Sequence, residues 1–286
     1  MTPLSKNKLR AFLTPVAFYR AIKGSYSLES IKTLIHGEKL TENEWDEACR
    51  FYKKHLGEEH QRNQVQAKEH KRLVKQLEPS LQILKKIIRK IPEITDVLLV
   101  NSFSLGALKP TSDIDIIVIC EPRLIWWARL KLTIALERAH LRRKPGNIEE
   151  HICLSFFVTT NALSMESLAI DNDIYLRYWS ANALPLFGRH RSNWLKENQW
   201  LQAFLPHLHL QAQPKKLTKR ISLLSYLANS LVRIPMYQRS KTKAAKLGIE
   251  SSIVVSDQIL KFHNQDRRQL YRDKTLVELA ALEQLF

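Results

Sequence analysis

The sequence predicts an α+β protein, with a short strand-bearing centre between two helical regions. Three observations point there. Residues 97–120 and 151–159 contain short apolar runs, VLLV, IDIIVIC and ICLSFFV, of a length suited to buried strands. Outside them Leu, Ala, Lys, Arg and Glu dominate, residues that favour helix. Seven glycines and eleven prolines in 286 residues argue against disorder or a loop-rich all-β fold, and 44% apolar content supplies a substantial core. The expected organisation is an N-terminal helical region over 1–92, a strand-bearing core over 93–160 and a basic helical region over 161–286.

Taken in order, residues 7–23 read as a helix that Pro15 splits or offsets. Ser27 is placed to cap a second short helix, which Gly37 ends. Thr41 with Glu44 is a capping-box pair opening a third. Three short helices resemble the helical part of a winged-helix unit, although no wing hairpin is evident. Residues 45–91 read as nearly continuous helix. Its 60–72 portion is polar almost all round and is expected to bridge solvent. From Leu73 the apolar spacing returns (Leu77, Leu81, Leu84, Ile87, Ile88, Ile91), so this part should pack on the following sheet. Pro92 closes it and a strand follows to Val100. A helix is expected over 122–141, a break at Pro145-Gly146, and a third strand over 151–159. The rest reads mostly as helix, with units at 171–180, 192–204, 217–234, 252–262 and 274–285.

Chemistry concentrates between the first two strands. Asn101, Ser102, Ser104 and Gly106 form a small-residue turn, and the second strand opens with Asp113-Ile114-Asp115. Residues two apart on a strand share a face. Asp113 and Asp115 are therefore side by side, and two such carboxylates repel each other unless a cation lies between them. A paired Asp beyond a turn rich in free backbone N–H groups suits a divalent metal with phosphate.

This stretch resembles the signature of the DNA polymerase β-like nucleotidyltransferase superfamily. Val100-Asn101-Ser102, ten intervening residues and Asp113-Ile114-Asp115-Ile116 follow the family's strand, Gly-Ser turn and Asp-x-Asp, with Asn101 where glycine is expected. Residues 93–206 are further similar to a bacterial group of nucleotidyltransferase-domain proteins. The shared stretches are a Trp-bearing helix, the RRKPG break, the ICLSF strand, DIYL, PLFGR and NQW, with a fainter continuation through FHNQDRR. The resemblance implies a small mixed sheet and metal-dependent transfer of a nucleotidyl group from an NTP to a hydroxyl. It implies Mg²⁺ (or Mn²⁺) held by Asp113 and Asp115, with Asn101 and Ser102 at the nucleotide phosphates. Asn tolerates the left-handed backbone that the glycine would adopt. Many relatives carry a third carboxylate on the strand after the helix. Here that strand, Ile152 to Phe157, has no acid, and Glu150 just upstream is the candidate. The alternative is a catalytically degenerate fold that binds nucleic acid or regulates.

Charge bears on partners. The formal net charge is +17, with 19 Lys+Arg against 11 Asp+Glu in 1–95, 8 against 7 in 96–160, and 18 against 10 in 161–286. The centre is near neutral while both flanks are basic, which fits a polyanionic partner. Residues 198–249 hold no Asp or Glu, and Lys215, Lys216, Lys219 and Arg220 lie there among Trp200, Phe204, Tyr226 and Tyr237. Nucleic acid is the expected partner, RNA ahead of DNA. The alternatives are that these cations form a solvated surface and the aromatics are core. Cys49, Cys120 and Cys153 have no metal-ligand spacing, so no disulfide framework or zinc motif is expected, and Cys120 and Cys153 read as buried small hydrophobes. His207 and His209, two apart, read as a surface turn ahead of a metal pair. No apolar segment is long enough to span a bilayer and no signal peptide is visible, so a cytoplasmic protein without a membrane partner is expected.

Overall fold

The computed structural model describes residues 4–144, 146, 151–188, 191–209, 221–247, 252–263 and 266–285, with only the backbone at 191 and 192. Helices α1 (Lys6–Ile22), α2 (Leu28–Leu34), α3 (Glu42–His55) and α4 (Gly57–Arg89) precede strand β1 (Ile94–Leu99). Then come β2 (Ile114–Cys120), α5 (Ile125–Arg138), β3 (Ile152–Thr159), α6 (Ile174–Ala181) and β4 (Leu184–Phe187). The chain continues through α7 (Arg191–Glu197), α8 (Leu223–Leu247), β5 (Val254–Val255), β6 (Ile259–Lys261) and α9 (Arg268–Glu283). The fold is α+β, built on one mixed six-stranded open sheet of order β4-β1-β2-β3-β6-β5. Only β2 and β3 run parallel among these neighbours. Such a pairing needs a crossover, and α5 supplies it.

Both faces of the sheet are covered, which explains the nearly unbroken apolar run of β2. Ile117, Ile119, Phe156 and Val158 join one core with Phe12, Phe18, Trp179, Trp194 and Leu279, from α1, α6, α7 and α9. Ile116, Val118 and Phe157 join the other with Leu81, Leu84, Ile88, Trp126 and Leu132, from α4 and α5. Strand alternation places Asp115 on the face of Ile117 and Ile119; the strand begins at Ile114, one residue later than expected, so Asp113 sits just ahead of it.

Local chemistry sets the helix ends as expected at Ser27 and Thr41, each within a reciprocal capping box. Pro15 does not split α1; the helix runs through it with the ring buried. The long helical stretch breaks at Leu56 into α3 and α4. Its polar 60–72 portion also has one buried anchor. Asn63 accepts from Tyr26 N (2.9 Å) and donates to Tyr26 O (2.7 Å), so its amide substitutes for a backbone pairing. The first turn of α5 is capped from a distance, because Asn229 Oδ1 on α8 accepts from Trp126 N and Trp127 N at 3.1 and 3.0 Å. Residues 252–262 are not a helix: β5 and β6 form a hairpin that extends the sheet beyond β3. Their β-branched residues Ile253, Val254, Val255 and Ile259 favour a pleated, half-buried surface.

Gly106 matters to the site because it closes the turn that begins at Asn101. Its φ is +65°, and a Cβ there would run into the backbone of Ser25. Ser25 N and Oγ both donate to Gly106 O, at 2.9 and 3.1 Å. Gly106→Ala should therefore lower stability by about 1–3 kcal/mol, the usual cost of a strained left-handed residue. Urea unfolding measures this, and an unchanged midpoint would contradict it.

Candidate functional site

The two motif strands are joined by a connection, Val100 to Asp113, that opens with a turn at Asn101. Asn101 has φ +54°, the left-handed conformation its side chain tolerates. Leu105 N donates to Asn101 O and Ala107 N to Ser102 O, at 2.9 and 2.8 Å, winding the segment into a single helical coil. Val100 N donates to Asp115 O at 3.1 Å and fastens the turn to the start of β2. Leading into Asp113, Lys109 and Ser112 bond reciprocally, which fixes the approach to the strand.

Asn101 is more than a glycine substitute. Its Nδ2 donates to Asp115 Oδ2 at 2.8 Å. Its Oδ1 accepts from Trp179 Nε1 at 2.6 Å and from Tyr175 OH at 3.4 Å, both on α6. One amide thus ties the turn, the Asp-x-Asp strand and the covering helix together.

Asp113, Asp115 and Cys153 form a cluster whose potential ligand atoms lie within 4.8 Å of one another. Cys153 arrives there because β2 and β3 pair in parallel with Asp115 opposite Cys153, just before the ladder shifts by one residue, so that Ile117 faces Phe156. Arg143, on the connection from α5 to β3, places Nη1 2.9 Å from Asp113 Oδ2 and 3.4 Å from Cys153 Sγ. Asp113 Oδ2 is buried and forms no hydrogen bond, so the arginine meets it as an ion pair only. Burial, reinforced by the charge of Asp113, pushes the Asp115 carboxyl up to about 6. Burial, and then the charge of Asp115, pushes the Cys153 thiol up to about 12.

Asp113 and Asp115 line a cavity of about 450 Å³ that also touches Ser102, Lys109, Lys261, His263, Arg268 and Tyr271. Its far wall comes from the last part of the chain. Burial, then Arg268, lowers Lys261 to about 8; burial, then Lys261, lowers His263 to about 4. His263 Nε2 and Ser155 Oγ are 3.3 Å apart. Arg268 is held by Asp266 and by Asp173, the N-cap of α6, the latter at 2.9 Å. Tyr175 and Tyr271 stack with centroids 5.2 Å apart and an interplanar angle of 15°.

Of the residues expected from sequence, Asn101, Ser102, Asp113 and Asp115 converge on this cavity. Glu150 lies outside the described residues, as do Lys215, Lys216, Lys219 and Arg220. In the described part of the acid-free stretch, Arg239, Lys241, Lys243 and Lys246 are exposed on α8, whereas Tyr226 and Trp200 are half-buried. His207 is no ligand here: its Nε2 accepts from Leu40 N at 2.9 Å. Cys153, Arg143, Lys261 and His263 were missed as site residues. Cys153 was read as a buried hydrophobe, and it is buried, but among charged groups. The stretches around Tyr175 and His263 stood out as motifs without a role.

A divalent cation fits this cluster, because Asp113, Asp115 and Cys153 each offer one ligand atom within 4.8 Å of the others and Asp113 Oδ2 is buried without a hydrogen bond. Asp115 also sets a pH dependence. Its folded value, about 6, lies above the ordinary 3.8. The folded state therefore holds the proton more tightly, and this contribution is complete below the unfolded value and lost as pH rises through about 6. In chelator, Asp115→Asn should gain stability over the wild type as pH rises from about 4 to about 7, by on the order of 1–3 kcal/mol. Urea unfolding across that range reads the gap, and a gap constant with pH would remove the assignment.

Compared with family models, curated proteins and solved structures, the chain matches none, so the reading of this site rests on its own geometry.

Proposed function

We propose that the chain is a metal-dependent nucleotidyltransferase that binds an NTP in this cavity and moves its nucleotidyl group to a hydroxyl acceptor. The observation that carries the reading is the Asp113–Asp115 pair, set between the left-handed Asn101 turn and a wall of cations. Asp113 and Asp115 would hold Mg²⁺ or Mn²⁺, and the ion, when bound, neutralises phosphate charge and favours departure of pyrophosphate. The Ser102 hydroxyl and the amides of its turn hold phosphate oxygens. Lys261 and Lys109 add charge, and burial makes the Lys261 contact stronger than it would be in water. Tyr175, Tyr271 and Trp179 supply an aromatic surface for a base. Asn101 keeps the Asp115 carboxylate oriented through its amide.

Cys153 supports a second reading, a nucleotide-binding module without transfer. It stands opposite Asp115, on the strand where a third acid would serve as base. Two measurements separate the readings. Labelled NTP should bind in a Mg²⁺- or Mn²⁺-dependent manner, and Asp113→Asn or Asp115→Asn should abolish binding while the protein stays folded. Unchanged affinity in both variants removes the metal-site reading. Label should also pass to RNA or protein in the wild type; binding without transfer selects the module.

RNA is the proposed acceptor or partner. The exposed cations of α8, with Lys215, Lys216, Lys219 and Arg220, support it. RNA affinity should fall with salt, with a slope of roughly −0.7 per phosphate contact. Reversing Lys215, Lys216, Lys219 and Arg220 to Glu should weaken binding and flatten the slope. Affinity indifferent to salt, or unchanged in that variant, ends the polyanion proposal.

A further inference from the structure

We propose that Cys153 is the third ligand of the Asp113–Asp115 site, and that its thiolate selects a borderline-soft divalent ion of the Zn²⁺ or Co²⁺ class over Mg²⁺. This rests on the carboxylate pair being a metal site, but not on nucleotidyl transfer.

The three donors belong together by construction. Parallel pairing puts Cys153 beside Asp115, Asp113 immediately precedes β2, and the ligand atoms of all three lie within 4.8 Å. With metal bonds near 2.0–2.2 Å to oxygen and 2.3 Å to sulfur, tetrahedral donors sit roughly 3.3–3.5 Å apart. Side-chain rotation of about 1 Å therefore closes the site. Asp113 Oδ2, buried and without a hydrogen bond, leaves its acceptor capacity for such an ion. The only cation in contact with the cluster among the described residues is Arg143, which touches both Asp113 and Cys153. Its side chain is 42% exposed and sits on a connection, so it can withdraw while Asp115 and Cys153 stay on their strands.

The donor types decide the metal. Mg²⁺ takes oxygen ligands in near-ideal octahedral geometry, whereas thiolate favours softer ions. Three protein ligands also leave a fourth position open for water or a phosphate oxygen. On binding, the Cys153 S–H bond breaks, a metal–sulfur bond forms, and the proton leaves to solvent. No electron is transferred.

The test is a Co²⁺ titration of the full chain without nucleotide, read in the near ultraviolet, where thiolate-to-cobalt charge transfer absorbs. The wild type should show the band and release protons on binding. Cys153→Ser should lose the band and bind Co²⁺ roughly 10–100-fold more weakly, the range seen when a metal's supporting groups are lost. A large excess of Mg²⁺ should leave the wild-type band in place. X-ray absorption on the wild-type Zn²⁺ form, which needs no variant, should find one sulfur at about 2.3 Å. Bound Co²⁺ without the band, a band that survives in Cys153→Ser, an all-oxygen zinc shell, or displacement by equimolar Mg²⁺ would each overturn the proposal. A protein that gives the band and binds no NTP keeps this site and loses the nucleotidyl reading. One that binds NTP with Mg²⁺ and gives no band keeps that reading and loses this one.

Discussion

A carboxylate half-buried beside another carboxylate is costly, and the architecture around Asp115 is organised to bear that cost. Asp113 lies two residues away, and both carboxylates are half-buried at the wall of the cavity. The Asn101 amide donates one hydrogen bond, and Arg143 contributes positive charge. Asn101 can do this only because its backbone is left-handed and its Oδ1 is braced by Trp179 and Tyr175. Tyr175 in turn stacks on Tyr271, and α6 is pinned to α9 through Asp173 and Arg268. Cavity shape, helix placement and turn conformation all trace back to holding that acid in place.

A sheet covered on both sides gives such a site a rigid floor. Protein interiors are packed like organic crystals, so a group seated on a central strand moves little. The neighbouring connections differ. Arg143 lies on one of them and is half-exposed. The site therefore combines donors on or beside central strands with an arginine whose side chain is half-exposed, an arrangement suited to exchanging a protein charge for a ligand's. It keeps two like charges close where a stability-driven sequence would separate them.

Much of this was legible before the structure. Apolar runs, the turn and the Asp-x-Asp spacing located β1, β2, β3 and the carboxylate pair, because strand alternation is local and strictly periodic. Capping residues placed α2 and α3 for the same reason. Long-range events were not legible. Cys153 became a site residue through parallel register between strands far apart in sequence, and nothing in its own neighbourhood marks it. The β5–β6 hairpin was hidden by a short mixed run without a turn dipeptide, and its strands of two and three residues carry too few positions for a period. Asn63 looked like one more polar residue on a solvated helix until Tyr26 was seen to need its amide. Glycine was the residue expected at 101; the advantage of Asn appears only once Trp179 and Asp115 lie within its reach.

The packing of α1 against α9 has a consequence for how the molecule comes into being. The first and last described helices lie against each other, and β6 and α9 furnish the cation-bearing wall of the cavity. A chain emerging from the ribosome can form α1 through α4 and pair β1 with β2 early, yet the face of that pair turned to α1 also needs α6, α7 and α9, made much later. Contacts between such distant segments slow folding. Until α9 arrives, the apolar side of α1 and the acidic floor stand uncovered together. A nascent chain of this kind presents greasy surface to chaperones, and its pocket can close only once β6 and α9 have been made.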